Sequence, residues 1–342
     1  MKNIALIGST GSIGRQAIAV AARYPEKFRI AAMAANASES LFAEQMRAVR
    51  PDFAALRAEG EAFSAGGVRC GRGEAAFEEA CAYDGADVVL VAVSGFAGLK
   101  ATLLALAAGK DVALANKESL VAGGELVLAE AARTGARILP VDSEHSAIWQ
   151  CLHFDRAAPF RKILLTASGG ALRDVPLEEL EAVTPARALA HPNWNMGAKI
   201  TVDCATMLNK GFEVIEAMHL YGAALSQVKV LIHRESIVHS MVEFADGAVL
   251  AQMSVPSMEL PIQMALTYPE RLPCGLPPVD FVKLGALHFA AVDARRYPCF
   301  SLALSCAAKG GGYPCALNAA GEVAVQAFLR GQAKRSISHI FA

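Results

Sequence analysis

Several clusters in this chain have residue types and spacings that could do chemistry. Gly8, Gly11 and Gly14, in Asn3-Ile-Ala-Leu-Ile-Gly-Ser-Thr-Gly-Ser-Ile-Gly14, let a backbone turn tightly and approach a diphosphate with no Cβ in the way. Asp142-Ser143-Glu144 follows an apolar run. In an extended segment, residues two apart point the same way, so both carboxylates could face one hard cation such as Mg²⁺ or Mn²⁺. The same residues also suit a helix start, with Asp142 or Ser143 as the cap and Glu144 near the dipole. Asn209 and Glu213 share a helix face, and Lys210 and Glu213 are three apart. That is a surface ion pair, or else a third metal carboxylate beside a phosphate-binding lysine. Thr166-Ala-Ser168-Gly-Gly170 suits an anion nest or a plain turn. His191-Pro-Asn-Trp194-Asn-Met196-Gly197 has few charges; such a loop either closes over a substrate or packs as surface. His145 reads as a packing or surface residue rather than a ligand.

These residues need a frame. Up to about residue 142, short apolar runs alternate with amphipathic ones. Strands are expected at 3–7, 28–34, 86–93, 111–115 and 137–141, and helices at 12–23, 38–49, 97–108 and 118–134. That alternation predicts an α/β fold with an N-terminal Rossmann-type parallel sheet. Ligands in such sheets sit beyond the strands' carboxyl ends, which singles out Gly8–Ser12, Ser94, Asn116–Glu118 and Asp142–Glu144. An α+β catalytic domain is expected over 143–267, with helices at 144–152 and 203–220, a strand at 162–166, and a hairpin of 237–244 and 248–255 around Asp246-Gly247. A proline-rich linker is expected at 268–298. A helical domain interrupted by Gly310–Gly312 then begins at about 299 and reads as truncated by the end at 342.

The chain is 54% hydrophobic and 19% charged, with a net charge of −1. It can bury large cores and has no long-range pull toward nucleic acid or an anionic membrane, so neither is expected as a partner. Its apolar stretches, such as Ala86–Val93, are short of the ~20 residues that span a bilayer. The eight cysteines contain no C-x-x-C pair and read as reduced thiols. A nucleotide turn at residue 8 leaves no room for a signal peptide, so a cytoplasmic location is expected.

A strand before the glycine turn and a helix after it support a dinucleotide site. The second strand runs into Ala35-Asn36-Ala37, without the acid that usually receives the ribose hydroxyls of NAD; Glu39 comes later. No Arg or Lys adjoins it for a 2′-phosphate, so the choice between NAD and NADP stays open. None of the six tyrosines has a lysine four residues later, which excludes the short-chain dehydrogenase pair.

Together these segments resemble the 1-deoxy-D-xylulose 5-phosphate reductoisomerase family of isoprenoid biosynthesis. The matching runs, in family order, are Gly8–Gly14, Leu114-Ala-Asn-Lys-Glu-Ser-Leu120, Val141–His145, Thr166–Gly170, His191–Gly197, Asn209–Glu213 and Leu317-Asn-Ala-Ala-Gly-Glu-Val-Ala324. The resemblance implies NADPH, one divalent metal, a phosphosugar substrate and a homodimer. It implies cofactor contacts from Thr10, Gly11, Ser12, Ile13, Ala35, Asn36, Ala37, Asn116, Glu118 and Gly197, and metal ligation by Asp142, Glu144 and Glu213. Substrate contacts would come from Lys117, Ser143, Glu144, Ser168, His191, Cys204, Asn209, Lys210 and Glu213, with Lys117, Glu144 and His191 catalytic. Cys204 departs from the family's usual serine, Ala37 from a frequent asparagine, and Ala171 from a proline. Two rivals differ from this reading. A metal-independent Rossmann oxidoreductase of the homoserine dehydrogenase kind would survive a chelator. A non-catalytic nucleotide binder would need no carboxylate triad.

Overall fold

The computed structural model describes residues 1–64, 66–153, 158–194 and 196–332. Asn195 of the His191–Gly197 run and the last ten positions of the expected helical domain lie outside the described residues. Among the described residues the chain begins β1 (Lys2–Ile7), α1 (Ser12–Arg23), β2 (Phe28–Ala35), α2 (Glu39–Val49), β3 (Phe53–Leu56), β4 (Arg69–Arg72), α3 (Glu74–Cys81) and β5 (Val88–Val91). It continues with α4 (Ala97–Ala107), β6 (Asp111–Leu114), α5 (Lys117–Thr134), β7 (Ile138–Pro140), α6 (Ser143–Cys151), β8 (Lys162–Ala167), α7 (Pro185–Ala188), α8 (Ala198–Ala205) and α9 (Leu208–Tyr221). Last come β9 (Val228–Ile232), β10 (Val238–Glu243), β11 (Val249–Met253), α10 (Glu259–Thr267), α11 (Phe281–Leu284), β12 (Ala290–Ala291), α12 (Pro298–Lys309) and α13 (Tyr313–Leu329).

The chain divides into two compact units. The first is Met1–Ser146 with Met258–Gly275; the second holds Ala147–Ser257 and the described residues from Leu276 onward. In the first, seven parallel strands lie in the order β4-β3-β2-β1-β5-β6-β7. Helices cover both faces, so strands such as Val88–Val91 are apolar and buried throughout rather than alternating. The order reverses beside β1, with β2 on one side and β5 on the other, and the crevice for a ligand in such sheets opens there. Sequence patterning misses β3, which is only four residues long, and β4, whose Arg-Cys-Gly-Arg carries no apolar signal because it is an edge strand. The segment 258–275 is tied to this unit by Arg23–Glu259 and Lys27–Glu270 ion pairs, both at 2.6 Å, and by Lys2 Nζ donating to the Leu266 carbonyl. The proline-rich stretch from 268 is thus divided between the units.

The second unit carries a mixed sheet, β11-β10-β8-β9-β12. The hairpin forms as patterned: β10 and β11 pair antiparallel, and Gly247 takes φ +87° in the turn. β9, not named from sequence, runs parallel to β8. The helix expected over 203–220 is two helices, α8 and α9, because Met207 adopts a left-handed φ of 59° between them. α9 is buried along nearly its whole length. It meets α12 where Gly211 faces Ala303; a Cβ on Gly211 would sit 2.3 Å from the Ala303 Cβ. A separate apolar cluster of Leu172, Val183, Val202, Val325 and Phe328 joins α8 and α13 to the segment after β8.

Candidate active site

The turn after β1 assigns its three glycines different tasks. Gly8 has φ +98°, and a Cβ there would lie 2.6 Å from the Ala92 carbonyl oxygen at the end of β5. A Cβ on Gly14 would lie 2.2 Å from the Gly8 oxygen, so this glycine permits α1 to pack onto the turn. Gly11, exposed at the tip, is the least crowded of the three: a Cβ there would meet the Gly8 oxygen at an ordinary 3.4 Å. α1 starts with no side-chain cap and no acid in its first turn, so its leading N–H groups and dipole are open to an anion. Ser9 is buried and locked to α2: its hydroxyl donates to Gln45 Oε1 at 2.8 Å, and Gln45 Nε2 returns a bond to the Ser9 carbonyl at 2.9 Å. Sequence reasoning missed Gln45, since nothing local marks a polar residue on the buried face of α2.

Thr10 and Ile13 are half-buried, and Ser12 is exposed, around that tip. Ala35 ends β2, and Asn36 and Ala37, both exposed, form the turn after it. β3 runs alongside, where Arg57 N donates to the Ala35 carbonyl and Ala58 N to the Asn36 carbonyl. No basic residue adjoins this turn in sequence, yet the two strands missed from the pattern bring Arg57 and Arg72 to its edge.

Asn116 caps α5, its Oδ1 accepting from Ser119 N at 2.9 Å. Its Nδ2 group faces the Val93 and Gly95 carbonyls and Glu118 Oε2, at 2.7 Å from the last. The amide therefore fixes the loop after β5 and the buried Glu118 carboxylate. Gly98 makes room for it, since a Cβ would come within 2.1 Å of Asn116 Oδ1.

Asp142 takes the capping role weighed from its sequence and also meets a lysine. Oδ1 caps α6 by accepting from Glu144 N at 3.2 Å and His145 N at 3.4 Å, while Oδ2 accepts from Lys117 Nζ. Ser143 donates its hydroxyl to Glu144. Asp142 and Glu144 are half-buried, and His145 is fully buried, as expected of a packing residue. The carboxylates stand at the carboxyl edge of the sheet whose β1 ends in the glycine turn.

In the second unit, Glu213 is 1% exposed on α9 and accepts from Asn209 Nδ2 at 2.6 Å and Lys210 Nζ at 2.5 Å. The surface ion pair weighed from spacing is thus a buried one. The turn after β8 has Gly169 and Gly170 at φ +81° and +68°. A Cβ on Gly170 would sit 2.4 Å from the Cys204 carbonyl oxygen, so this glycine seats the turn directly on α8. Ser168 Oγ lies 3.0 Å from His191 Nε2 and accepts from Gly170 N at 3.1 Å. His191 Nδ1 accepts from the backbone of Asn193 and Trp194 at 3.2 and 3.0 Å, which leaves the ring proton on Nε2 to donate to Ser168. With both acceptor positions taken, the Ser168 hydroxyl proton is directed elsewhere, as an oxyanion would require. Burial, and then the Arg173 charge, push the His191 pKa down to about 4, so the ring is neutral near pH 7. Arg173 also donates to the Ser168 carbonyl at 2.8 Å, and Tyr297 OH to that of Gly169 at 2.9 Å. Neither was found from sequence; both lie outside the motif and reach it through folding. Gly197 begins α8 as its N-cap.

A family model described as 1-deoxy-D-xylulose 5-phosphate reductoisomerase matches residues 4–124, and models of its C-terminal domains match 138–221 and 253–340. A reductoisomerase of this name from Pelotomaculum thermopropionicum is 53% identical over 97% of this chain and 87% of its own length. One from Moorella thermoacetica is 49% identical over the same shares. The chain belongs to the 1-deoxy-D-xylulose 5-phosphate reductoisomerase family. A crystal structure of a reductoisomerase with NADPH, fosmidomycin and magnesium superposes with TM-score 0.94 at 38% identity, covering 99% of this chain and 87% of that one. The Zymomonas mobilis reductoisomerase with NADPH gives 0.91 at 40% identity, covering 99% and 89%. The α/β reading of the sequence is therefore borne out, as is the family resemblance. Within the first unit the fold brings Lys117, Asp142, Ser143 and Glu144 together, and within the second Ser168 with His191 and Asn209 with Lys210 and Glu213. Among the described residues, no helix is long and apolar enough to cross a membrane.

Proposed function

We propose that this chain rearranges 1-deoxy-D-xylulose 5-phosphate and reduces it with NADPH to 2-C-methyl-D-erythritol 4-phosphate, using a divalent cation. The observation that carries the reading is that the glycine turn and the Asp142–Glu144 carboxylates share one edge of one sheet. A hydride donor and a hard-cation site on one edge suit a metal-assisted carbonyl reduction.

The residues fit both groups. Asp142, Glu144 and Glu213 are hard oxygen donors of the kind Mg²⁺ and Mn²⁺ prefer, and they would hold the ion. The uncapped start of α1 and the exposed Gly11 would hold the diphosphate, with Thr10, Ser12 and Ile13 around it. Asn36 and Ala37 would lie at the adenosine ribose, and Asn116, Glu118 and Gly197 at the rest of the cofactor. When bound, the cation supplies Lewis-acid stabilisation of oxyanion charge during the skeletal rearrangement, and the dinucleotide supplies the hydride.

The chain's own residues bind and orient. Lys117 keeps one oxygen of Asp142 neutralised, and Ser143 orients Glu144. Lys210 and Asn209 align Glu213 and reach the substrate's oxygens. Ser168, held by neutral His191, donates its hydroxyl to the substrate phosphate, with Cys204 beside it. Phosphate binding away from the reacting carbons orients the substrate. Trp194, edge-on to His239 at 6.3 Å, gives the His191 loop an apolar side that excludes water. The family resemblance supports a homodimer working in the cytoplasm; sedimentation at graded concentration tests the dimer.

The test is loss of NADPH absorbance on adding 1-deoxy-D-xylulose 5-phosphate with Mg²⁺ or Mn²⁺, then with EDTA. Turnover that EDTA abolishes is expected. Turnover indifferent to EDTA, or none with either metal, overturns the reading.

A further inference from the structure

The turn after β2 leaves open how this chain would tell NADPH from NADH. Residues Ala35 to Glu39 offer no cation, and only Glu39 offers a carboxylate for ribose hydroxyls. The fold supplies what the local sequence lacks. Registers Ala35↔Leu56 and Leu56↔Arg72 put Arg72 level with the end of β2, two strands away. Its Nη2 donates to Glu39 Oε2 at 2.8 Å, on the first residue of α2, directly after that turn. Its Nη1 donates to the Ala58 carbonyl at 3.3 Å, and Ala58 N in turn donates to the Asn36 carbonyl at 3.0 Å. The guanidinium lies 5.3 Å from the centroid of the Phe63 ring. Arg57, the neighbouring arginine, is committed elsewhere: Nε and Nη2 bind Glu74 at 2.7 and 3.3 Å, and with Lys100 it holds that carboxyl down at about 2.

We infer that Arg72 is the residue that receives the 2′-phosphate of the dinucleotide and sets the preference for the phosphorylated cofactor. The inference rests on the cofactor reading above. Side-chain exposure is 13% for Arg72 against 58% for Glu39, so the arginine is packed in place and the glutamate is the partner able to swing away. Arg72 occupies the carboxylate that would otherwise bond the ribose diol of NADH, which disfavours the unphosphorylated cofactor. A phosphate dianion replaces Glu39 on Nη2 with more charge and a matching fork of acceptors.

Isothermal titration of the full chain with 2′,5′-ADP and with 5′-AMP isolates this contact from catalysis. R72Q should weaken 2′,5′-ADP by about 10- to 100-fold, the scale of a charge-assisted bond, and 5′-AMP by less than about 3-fold. R72K should fall between, because an ammonium keeps the charge but loses the fork. E39Q, which keeps the arginine and removes its competitor, should tighten 2′,5′-ADP alone. An unchanged ratio of the two ligands in R72Q overturns the proposal. If R72Q fails to fold, a lack of selective gain in E39Q overturns it equally. Wild-type protein that binds neither ligand overturns the cofactor reading itself, a distinct failure.

Discussion

Two strands of this protein end in glycine turns suited to phosphate, β1 in one unit and β8 in the other, and the donors differ. After β1 they are backbone N–H groups at an uncapped helix start, and the glycines set the spacing, with Gly8 at φ +98° and Gly14 against the Gly8 carbonyl. After β8 the donor is a side chain, Ser168, aimed by a histidine that arrives from 23 residues away and by its own turn's Gly170 N–H. Backbone donors tolerate side-chain change but not added bulk. A side-chain donor is as good as the groups that orient it.

That contrast can be broken at either end. The largest effect is expected for Gly14→Ala, which forces a Cβ to 2.2 Å from the Gly8 oxygen. NADPH affinity by fluorescence titration should fall about 10- to 100-fold, matching ~1–3 kcal/mol of overpacking, while Ser12→Ala stays within about 3-fold. Equal effects from the two would remove the backbone account. Next, Ser168→Ala should raise the substrate KM by about 10-fold, the scale of one hydrogen bond to a charged group, and leave NADPH affinity alone. His191→Phe should do nearly as much, and the double variant should fall short of the product, because the histidine acts through the serine.

A third test concerns pH. The His191 pKa of about 4 lies below the ordinary 6.5 because burial, then Arg173, penalise the imidazolium. The unfolded chain therefore takes up this proton first as pH falls. The stability gained from the neutral ring is complete above about 6.5 and is lost as pH falls toward 4. The His191 ring resonances should titrate with a midpoint near 4, rising when Arg173 is replaced by Gln; a wild-type midpoint at 6.5 would mean the ring is not held as described. The smallest effect is expected at Cys204, beside the Gly170 turn. A thiol is a weaker donor than a hydroxyl, so Cys204→Ser should lower the substrate KM by about 2- to 5-fold. An unchanged KM would take Cys204 out of the phosphate site.

Much of this was legible in the chain. The alternation of apolar runs and amphipathic helices placed β1, β2, β5, β6 and β7 nearly to their observed ends, since buried parallel strands are continuous apolar runs. Asp246-Gly247 marked its hairpin through turn chemistry. β4 was illegible because an edge strand of Arg-Cys-Gly-Arg has no buried face to pattern. The break at Met207 was hidden because a left-handed methionine leaves no trace in helical periodicity. In the site, the glycines and carboxylates were visible as types. The groups that hold them, Gln45, Arg173 and Tyr297, were not, because each acts from outside its motif.

The sequence by itself determined the family, the parallel sheet and the chemical types available at its carboxyl edge, because glycine turns, apolar periodicity and carboxylate spacing are local properties. Only the tertiary structure decided that Lys210 and Glu213 form a buried pair rather than a surface one, that His191 is neutral with its proton on Nε2, and that a strand without an apolar pattern brings Arg72 to the turn after β2. Burial, tautomer and charge placement depend on which groups folding brings together, and distance along the chain does not report that.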